Sequence, residues 1–412
     1  MKQQMRLIVG LALAALIGGC GAQPARPTLT DGPPPTPLAT ESPPPAGAMG
    51  GTTFADGQSI ALAAAADGGV YAALGDADGL AVARLLADGS WGPPVRASGG
   101  QPVLVHPAER PAIAVAPGGR VAVAWLDTES GELPAVWYAQ SGDGGASFGE
   151  PTQVAQAGGP SAAMVSIAFD QQNPLAVWLD GSDLALARSA DGGRSWAAKS
   201  ILDSLICDCC QPAPLLVGSE SLVAFRNVVK EGADDLRDIY VARLDGDRAA
   251  GAPVQASDAS WQINACPISG PALALGGDSV FAAWMDGRAD VDHSGRRSDI
   301  WLARSADGGR TFGANLRVNP AAEGQHTLPT LAAAPDGRLH LSWLSVDGQD
   351  HSIVHTSSAD GGASFTPPQT IASNTLGDGG RPNMPSLAVA ADGRAYLAWT
   401  DKQGAHVVDL GK

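Results

Sequence analysis

Four cysteines in two short segments carry the most specific potential for chemistry in this chain. Cys207, Cys209 and Cys210 stand within four residues of one another, and Cys266 follows in a second segment. Complete pairing therefore requires one small ring inside the first segment. The residues allow three interpretations: structural disulfides, a thiolate site for Cu(I) or Zn(II) with His293 as an added donor, or a redox-active pair.

Arginines and aspartates crowd two long polar segments, residues 226–238 and 286–299. Long polar loops often carry functional residues, so these segments are candidates for a ligand-binding site. The candidates for binding a ligand, including two arginines elsewhere in the chain, are Arg110, Arg226, Asp238, Asp286, Arg288, His293 and Arg381.

One of these segments contains a weak calcium-like pattern. Asp290 and Asp292 are spaced like the first ligands of a calcium loop, but Trp301 stands where the loop needs a bidentate glutamate. We interpret the segment as a solvated loop. No cofactor is predicted, and Ca²⁺, Cu and Zn stay as alternatives.

A repeated strand positions these residues. An alternating apolar segment that ends in an aromatic residue occurs in seven copies, and the aromatic positions are separated by 51, 53, 47, 59, 59 and 56 residues. These positions are Leu74 (in the first copy), Trp125, Trp178, Phe225, Trp284, Trp343 and Trp399. A period near 50 residues is typical of a β-propeller.

The surroundings of each copy predict four short antiparallel strands per unit. The fold class is therefore all-β: a β-propeller with seven blades of four antiparallel strands, with six blades as the alternative. The seventh unit ends at Lys412 after three strands. We expect Thr52 to Phe54 to supply its fourth strand.

Four turns between the third and fourth strands of a unit share the pattern S-x-D-x-G-x-x-[FW], and we name them the SxD turns. Their defining residues are Ser141, Asp143, Gly145 and Phe148; Ser189, Asp191, Gly193 and Trp196; Ser305, Asp307, Gly309 and Phe312; and Ser358, Asp360, Gly362 and Phe365. The aspartate is suited to accept backbone N–H groups of a tight turn. We therefore expect these aspartates to be structural. The pattern resembles the Asp-box, or BNR repeat, of the sialidase-like β-propellers.

That resemblance implies an active face opposite the SxD turns, built from the loops after the second strands and the links between units. Sialidases use three arginines, a tyrosine nucleophile backed by a glutamate, and an acid/base aspartate. Arg110, before Pro111, faintly resembles the Arg-Ile-Pro element of the family. No tyrosine is paired with a suitable glutamate. All four also lie in predicted strands: Tyr71, Tyr138, Tyr240 and Tyr396. Enzymatic activity is therefore uncertain.

The N-terminus predicts export and lipidation. A basic start, an apolar run from Leu7 to Ile17 and the small residues before Cys20 form a signal too short to span a bilayer. It resembles the bacterial lipoprotein signal, with Cys20 as the lipidated residue; an ordinary secretory signal is the alternative. The predicted organisation is a signal peptide at 1–19, a lipidated, proline-rich, disordered stalk at 20–51 and the propeller at 52–412.

The composition of the chain limits the classes of partner that it can bind. The net charge is −16, and a surface that repels phosphate excludes nucleic acid. We expect a monomer in the bacterial cell envelope, bound to the membrane through its lipid and facing outside the cytoplasm. The favoured function is binding of a glycan or protein ligand on the face formed by the long loops of units four and five. An exo-sialidase-type glycoside hydrolase is the first alternative, and a metal- or redox-handling protein is the second.

Overall fold

The computed structural model describes residues 51–412, except for 106–108, 128–133, 157–161, 232–233, 264, 291–296, 321–323, 374 and 376–383. The predicted signal at 1–19, the lipidated Cys20 and the stalk up to residue 50 lie outside the described residues. Throughout the described part, the secondary structure consists of β-strands, which confirms the all-β prediction. The same residues include no helix that is long and apolar enough to cross a membrane.

Most of the strands form antiparallel units of four, in chain order. The first three units are β2 (Ser59–Ala64), β3 (Val70–Asp76), β4 (Gly79–Arg84) and β5 (Val95–Arg96); β6 (Ala112–Val115), β7 (Val121–Asp127), β8 (Ala135–Ser141) and β9 (Thr152–Gln156); and β10 (Ala162–Asp170), β11 (Asn173–Asp180), β12 (Asp183–Arg188) and β13 (Ser200–Ser204).

The fourth unit departs from this pattern. It consists of β14 (Ala213–Val217), β15 (Glu220–Arg226) and β18 (Ile239–Asp245), with two short strands on β18, β19 (Arg248–Ala249) and β20 (Val254–Gln255). Its second and third strands are separated by an extra hairpin of β16 (Val229–Glu231) and β17 (Asp234–Leu236).

The fifth and sixth units share one sheet. They comprise β21 (Ala272–Gly276), β22 (Ser279–Asp286), β23 (Arg297–Ser305) and β24 (Leu316–Arg317); and β25 (Gly324–Ala333), β26 (Leu339–Asp347), β27 (Asp350–Ser358) and β28 (Gln369–Ser373). A short parallel pairing of β23 with β25 joins the two.

The last unit closes on the start of the described chain. It contains β29 (Ser386–Val389), β30 (Ala395–Asp401) and β31 (Gly404–Gly411). Its fourth strand is β1 (Gly51–Phe54), which pairs with β31 in antiparallel register from Gly51 opposite Val408 to Phe54 opposite Ala405. The prediction that Thr52 to Phe54 complete the seventh unit is therefore confirmed.

The first strand of each unit contacts the first strand of the next. These contacts run from β2 through β6, β10, β14, β21 and β25 to β29, and β29 contacts β2 in turn. The first strands therefore surround a common centre.

The repeated aromatic position explains how the units pack. Trp178 and Trp284 are completely buried, and Trp125, Phe225, Trp343 and Trp399 are each at most 6% exposed. Residues of adjacent units share hydrophobic clusters, so apolar side chains fill the space between one sheet and the next. The sequence repeat is thus a repeat of core positions.

Each SxD turn is held by its own side chains. The Ser141 hydroxyl donates to Asp143 at 2.7 Å and accepts the Gly145 N–H at 2.7 Å. The Asp143 carboxylate also accepts the backbone N–H and the hydroxyl of Ser147, at 2.9 and 2.6 Å. These donors, the Ser147 hydroxyl first among them, lower the pKa of Asp143 to about 2. The same network recurs around Asp191, Asp307 and Asp360.

The glycine and the aromatic residue of each SxD turn face the preceding unit. At Gly193, where φ is +92°, an added Cβ would meet the Tyr138 ring at 2.5 Å. The Trp196 ring packs edge-on against Tyr138 with 5.1 Å between centroids. The SxD turns therefore fasten one unit to the one before it.

Candidate functional site

A cavity of about 200 Å³ lies at the centre of the first strands. Every unit contributes to its lining, which includes Leu62, Arg110, Ser166, Gln211, Pro271, Thr330 and Ser386. Its polar groups are therefore one guanidinium, one amide and several hydroxyls. Among the described residues that line it there is no aspartate or glutamate.

Arg110 supplies the positive charge of this cavity. Its Nε donates to Oε1 of Gln211 at 3.2 Å, and its Nη1 donates to the carbonyl of Pro385 at 3.0 Å. Gln211 is fixed in turn, because its amide donates to the Val165 carbonyl at 3.1 Å. Residues from four different units thus hold one guanidinium at the centre. Burial lowers the pKa of Arg110 to about 10, so the group stays charged at neutral pH.

Glu109 lies beside Arg110 and lines a smaller adjoining cavity with it. Its Oε1 accepts the backbone N–H of Met164 at 2.7 Å. Although part of the residue is exposed, protein surrounds the carboxyl group, and this desolvation raises its pKa to about 7. A carboxyl group with such a pKa exchanges a proton readily near neutral pH.

The charged residues of units four and five have a different role. Arg226 is 1% exposed, and its guanidinium donates to the carbonyls of Ser269, Arg237 and Met285 at 2.7–3.2 Å. It also lies over the Trp261 ring, 5.2 Å from the centroid. Arg226 is therefore an internal link between the two units, in contrast to its predicted position on a ligand-binding face.

Arg288 and Asp286 are also engaged with each other. Asp286 is 2% exposed and accepts Nη2 of Arg288 at 2.6 Å, while Nη1 of Arg288 donates to Asp258 at 2.5 Å. The guanidinium covers the Trp301 ring at 4.3 Å. These contacts engage both side chains within the protein, in contrast to their predicted role in binding a ligand.

Asp238 is also buried, at 4% exposed. It accepts the Trp261 backbone N–H at 3.0 Å and the Gln255 amide at 3.1 Å. Burial raises its pKa to about 6. Arg110, Arg226 and Arg288 each have different hydrogen-bond partners. His293 and Arg381, the remaining candidates, lie outside the described residues.

The cysteines are arranged as disulfides. Cys207 pairs with Cys210 across a Cα separation of 5.5 Å, and Cys209 pairs with Cys266 across 6.5 Å. Both values fall within the usual range for disulfides. The predicted small ring is present as the first pair.

The tyrosines that a sialidase-type mechanism would need are strand residues. Burial raises the pKa of Tyr71, Tyr138, Tyr240 and Tyr396. None of the four is among the described residues that line the central cavity.

Sequence reasoning named Arg110 but missed Glu109 and Gln211. A signal was present, because a residue followed by proline directly precedes the first strand in four units. The pairs are Arg110-Pro111, Gln211-Pro212, Gly270-Pro271 and Met384-Pro385. Three of these pairs contribute to the lining of the central cavity, where Arg110 and Gln211 meet.

Known proteins resemble this chain in fold rather than in sequence. No protein-family model matches it, and neither does any curated protein sequence. A polysaccharide lyase of family PL25, an ulvan lyase bound to -[GlcA(1-4)Rha3S]-, is similar with a TM-score of 0.54 and 13% identity, covering 87% of this chain and 95% of the lyase.

Two sialidase structures are more distant. A Hadza microbial sialidase has a TM-score of 0.47 and 15% identity, covering 74% of this chain and 65% of that one. A leech intramolecular trans-sialidase has a TM-score of 0.46 and 12% identity, covering 74% and 67%. The likeness in fold therefore rests on the lyase, with its TM-score of 0.54.

Proposed function

We propose that this protein binds an acidic glycan at its central cavity and that Arg110 pairs with a carboxylate or sulfate group of the ligand. The observation that carries the proposal is a desolvated, charged guanidinium in a cavity whose described lining has no carboxylate. A buried cation without an ionic partner is costly, so a bound anion stabilises it.

The remaining polar groups suit a sugar. Hydroxyls of Ser166, Thr330 and Ser386 and the Gln211 amide line the same cavity. The volume of about 200 Å³ is below the ~300–1,000 Å³ of pockets that enclose a drug-sized ligand. We therefore infer that one acidic sugar residue enters and that the rest of the glycan lies across the face.

The similar lyase supports the same ligand class. It is described as bound to a glucuronate-containing, sulfated disaccharide repeat. At 13% identity this likeness concerns the fold, so the argument for an acidic ligand rests on Arg110. The proposed site lies at the centre of the ring, inward of the long loops of units four and five that the sequence favoured.

The surrounding architecture belongs to the proposal. We infer a seven-bladed propeller, because the contacts between first strands return to their start and β1 completes the last unit.

We further propose that the chain is a monomeric lipoprotein, anchored at Cys20 and held off the membrane by the stalk at 20–51. A Cys20→Ala variant should lose incorporation of a labelled fatty acid in a bacterial host; unchanged incorporation would contradict the anchor.

Binding is tested by titrating a glucuronate-containing oligosaccharide and its carboxyl-reduced, neutral counterpart into the protein by calorimetry. We expect the acidic form to bind and the neutral form to bind at least tenfold more weakly, since a charge-assisted contact contributes about 1.5–3 kcal/mol. Arg110→Ala should weaken binding of the acidic form by a similar factor. Arg194→Ala, in an exposed SxD turn, is the matched control. Equal binding of both glycans would contradict the proposal.

Glu109 favours a second candidate, cleavage of the bound glycan. Glu109 lines the small adjoining cavity that shares Arg110 with the central one, and a carboxyl group with a pKa near 7 there is suited to accept a proton from a uronate bound at Arg110. Elimination creates an unsaturated sugar that absorbs ultraviolet light. Appearance of that absorbance with the wild type and its loss in Glu109→Gln would support cleavage. Fluorophore release from a sialoside would instead favour the sialidase alternative.

A further inference from the structure

The two disulfides touch each other. Sγ of Cys207 lies 3.6 Å from Sγ of Cys209, although each sulfur is bonded to a different partner. The sulfurs of Cys207, Cys209 and Cys210 all lie within 4.8 Å of one another. A thiolate formed at Cys209 would therefore face a disulfide sulfur without any movement of the backbone.

The two pairs differ in accessibility. Cys207 and Cys210 are each 1% exposed, whereas Cys209 is half-buried and Cys266 is exposed. An external thiol can reach the Cys209–Cys266 bond but not the inner bond. Reduction of the inner pair must therefore pass through the outer one.

Charged groups next to the sulfurs act on the two bonds in opposite ways. Nη1 of Arg237 lies 3.4 Å from Sγ of Cys207, where it stabilises negative charge that develops when a thiolate attacks. Arg237 is held in place by its donation to the Ile263 carbonyl at 3.2 Å. By contrast, a carboxylate oxygen of Asp208 lies within 4.8 Å of the sulfurs of Cys209 and Cys266, where it destabilises a thiolate at Cys209 and so favours its attack on the inner pair.

We propose that the four cysteines form a thiol–disulfide exchange centre whose substrate is an external dithiol. In the first step a thiolate of the dithiol attacks Sγ of Cys266, breaks the Cys209–Cys266 bond and releases Cys209 as a thiolate. The second thiol of the reductant then resolves the mixed disulfide and leaves Cys266 as a thiol.

In the next step the Cys209 thiolate attacks Sγ of Cys207. The Cys207–Cys209 bond forms, the Cys207–Cys210 bond breaks, and Cys210 leaves as a thiolate that takes up a proton. The reductant has lost two electrons and two protons, which the protein holds as thiols at Cys210 and Cys266. This centre is separate from glycan binding, and its test does not depend on that function.

The test uses the full-length wild-type protein and one equivalent of dithiothreitol. The reaction is stopped with acid, free thiols are alkylated, and labelled cysteines are located by tandem mass spectrometry. We expect label at Cys210 and Cys266 and a Cys207–Cys209 bond. Label at Cys209 and Cys266 with an intact Cys207–Cys210 bond would overturn the proposal, because the two disulfides would then be independent.

A Cys266→Ser variant tests the internal step alone, since it leaves Cys209 as a free thiol from the start. We expect the alkylation label to be shared between Cys209 and Cys210; label confined to Cys209 would contradict the exchange. In that variant, Arg237→Gln should slow the exchange about tenfold, the effect of one pKa unit of thiolate stabilisation. Arg243→Gln, which removes a partner of Glu220 elsewhere in unit four, is the matched control. Equal rates in the two would contradict the role of Arg237.

Discussion

The carboxyl groups of the SxD turns and of the central site show opposite behaviour. In the turns, hydroxyl and backbone donors lower the pKa of Asp143 and Asp360 to about 2, so these groups stay ionised. At the centre, desolvation raises the pKa of Glu109 to about 7. The difference shows that hydrogen-bond donors fix a carboxylate for a structural role, whereas burial without a cation leaves it available for proton transfer.

The two arginines that sequence reasoning treated alike repeat this contrast. The guanidinium of Arg226 is occupied by carbonyls of three residues. Arg110 makes two hydrogen bonds at the wall of a cavity. A guanidinium surrounded by internal acceptors stabilises the fold, and one that faces a cavity can bind a ligand.

The largest expected effect comes from removing the Arg226 guanidinium, which links units four and five. Arg226→Ala should lower the free energy of unfolding by about 3–5 kcal/mol, because it leaves buried carbonyls unsatisfied and opens a cavity. Arg110→Ala should change it by less than about 1 kcal/mol, since the removed charge has no ionic partner among the residues that the structure describes. Denaturant unfolding followed by tryptophan fluorescence measures both. Equal losses would show that the two arginines do not differ in role.

The next effect concerns pH. Because the folded protein raises the pKa of Glu109 from 4.5 to about 7, its contribution to stability is present below pH 4.5 and is lost as the pH rises towards 7. Glu109→Gln keeps an acceptor for the Met164 N–H and removes this loss. The variant should be up to about 3 kcal/mol more stable than the wild type at pH 8, and equal to it at pH 4. A constant difference across this range would contradict the raised pKa.

A smaller effect is expected at the glycines of the turns. Gly193→Ala should cost about 1–3 kcal/mol more than Gly89→Ala, because a Cβ at Gly193 meets the Tyr138 ring while Gly89 has no heavy atom within 4 Å. Both residues have a positive φ, so the backbone cost is matched. Thermal unfolding of the two variants provides the measurement. Similar melting temperatures would argue against the fastening role of the SxD turns.

The smallest effect is expected at an SxD aspartate. Asp143→Asn should lower the melting temperature slightly and leave glycan binding unchanged, because the hydrogen bonds of Asp143 to the described residues lie within its own turn. Calorimetric titration with the acidic oligosaccharide checks the second part. A loss of binding would place the SxD turns in the functional site.

Local patterns were enough to predict much of the fold. The spacing of Trp125, Trp178 and the other aromatic positions predicted the repeated units. The incomplete last unit predicted that Thr52 to Phe54 pair with it, as they do. The site was harder to predict from the sequence, because Arg110 and Gln211 are 101 residues apart and meet only when the first strands surround one centre. Burial of Arg226 likewise depends on carbonyls of the following unit, which spacing along the chain does not reveal.

A crystal structure of the protein with a glucuronate-containing oligosaccharide tests the central claim most directly. The account predicts that a carboxylate of the ligand lies about 2.7–2.9 Å from the guanidinium of Arg110, inside the cavity that the first strands surround. A ligand bound on the outer loops of units four and five, with Arg110 still bonded only to Gln211 and Pro385, would contradict it.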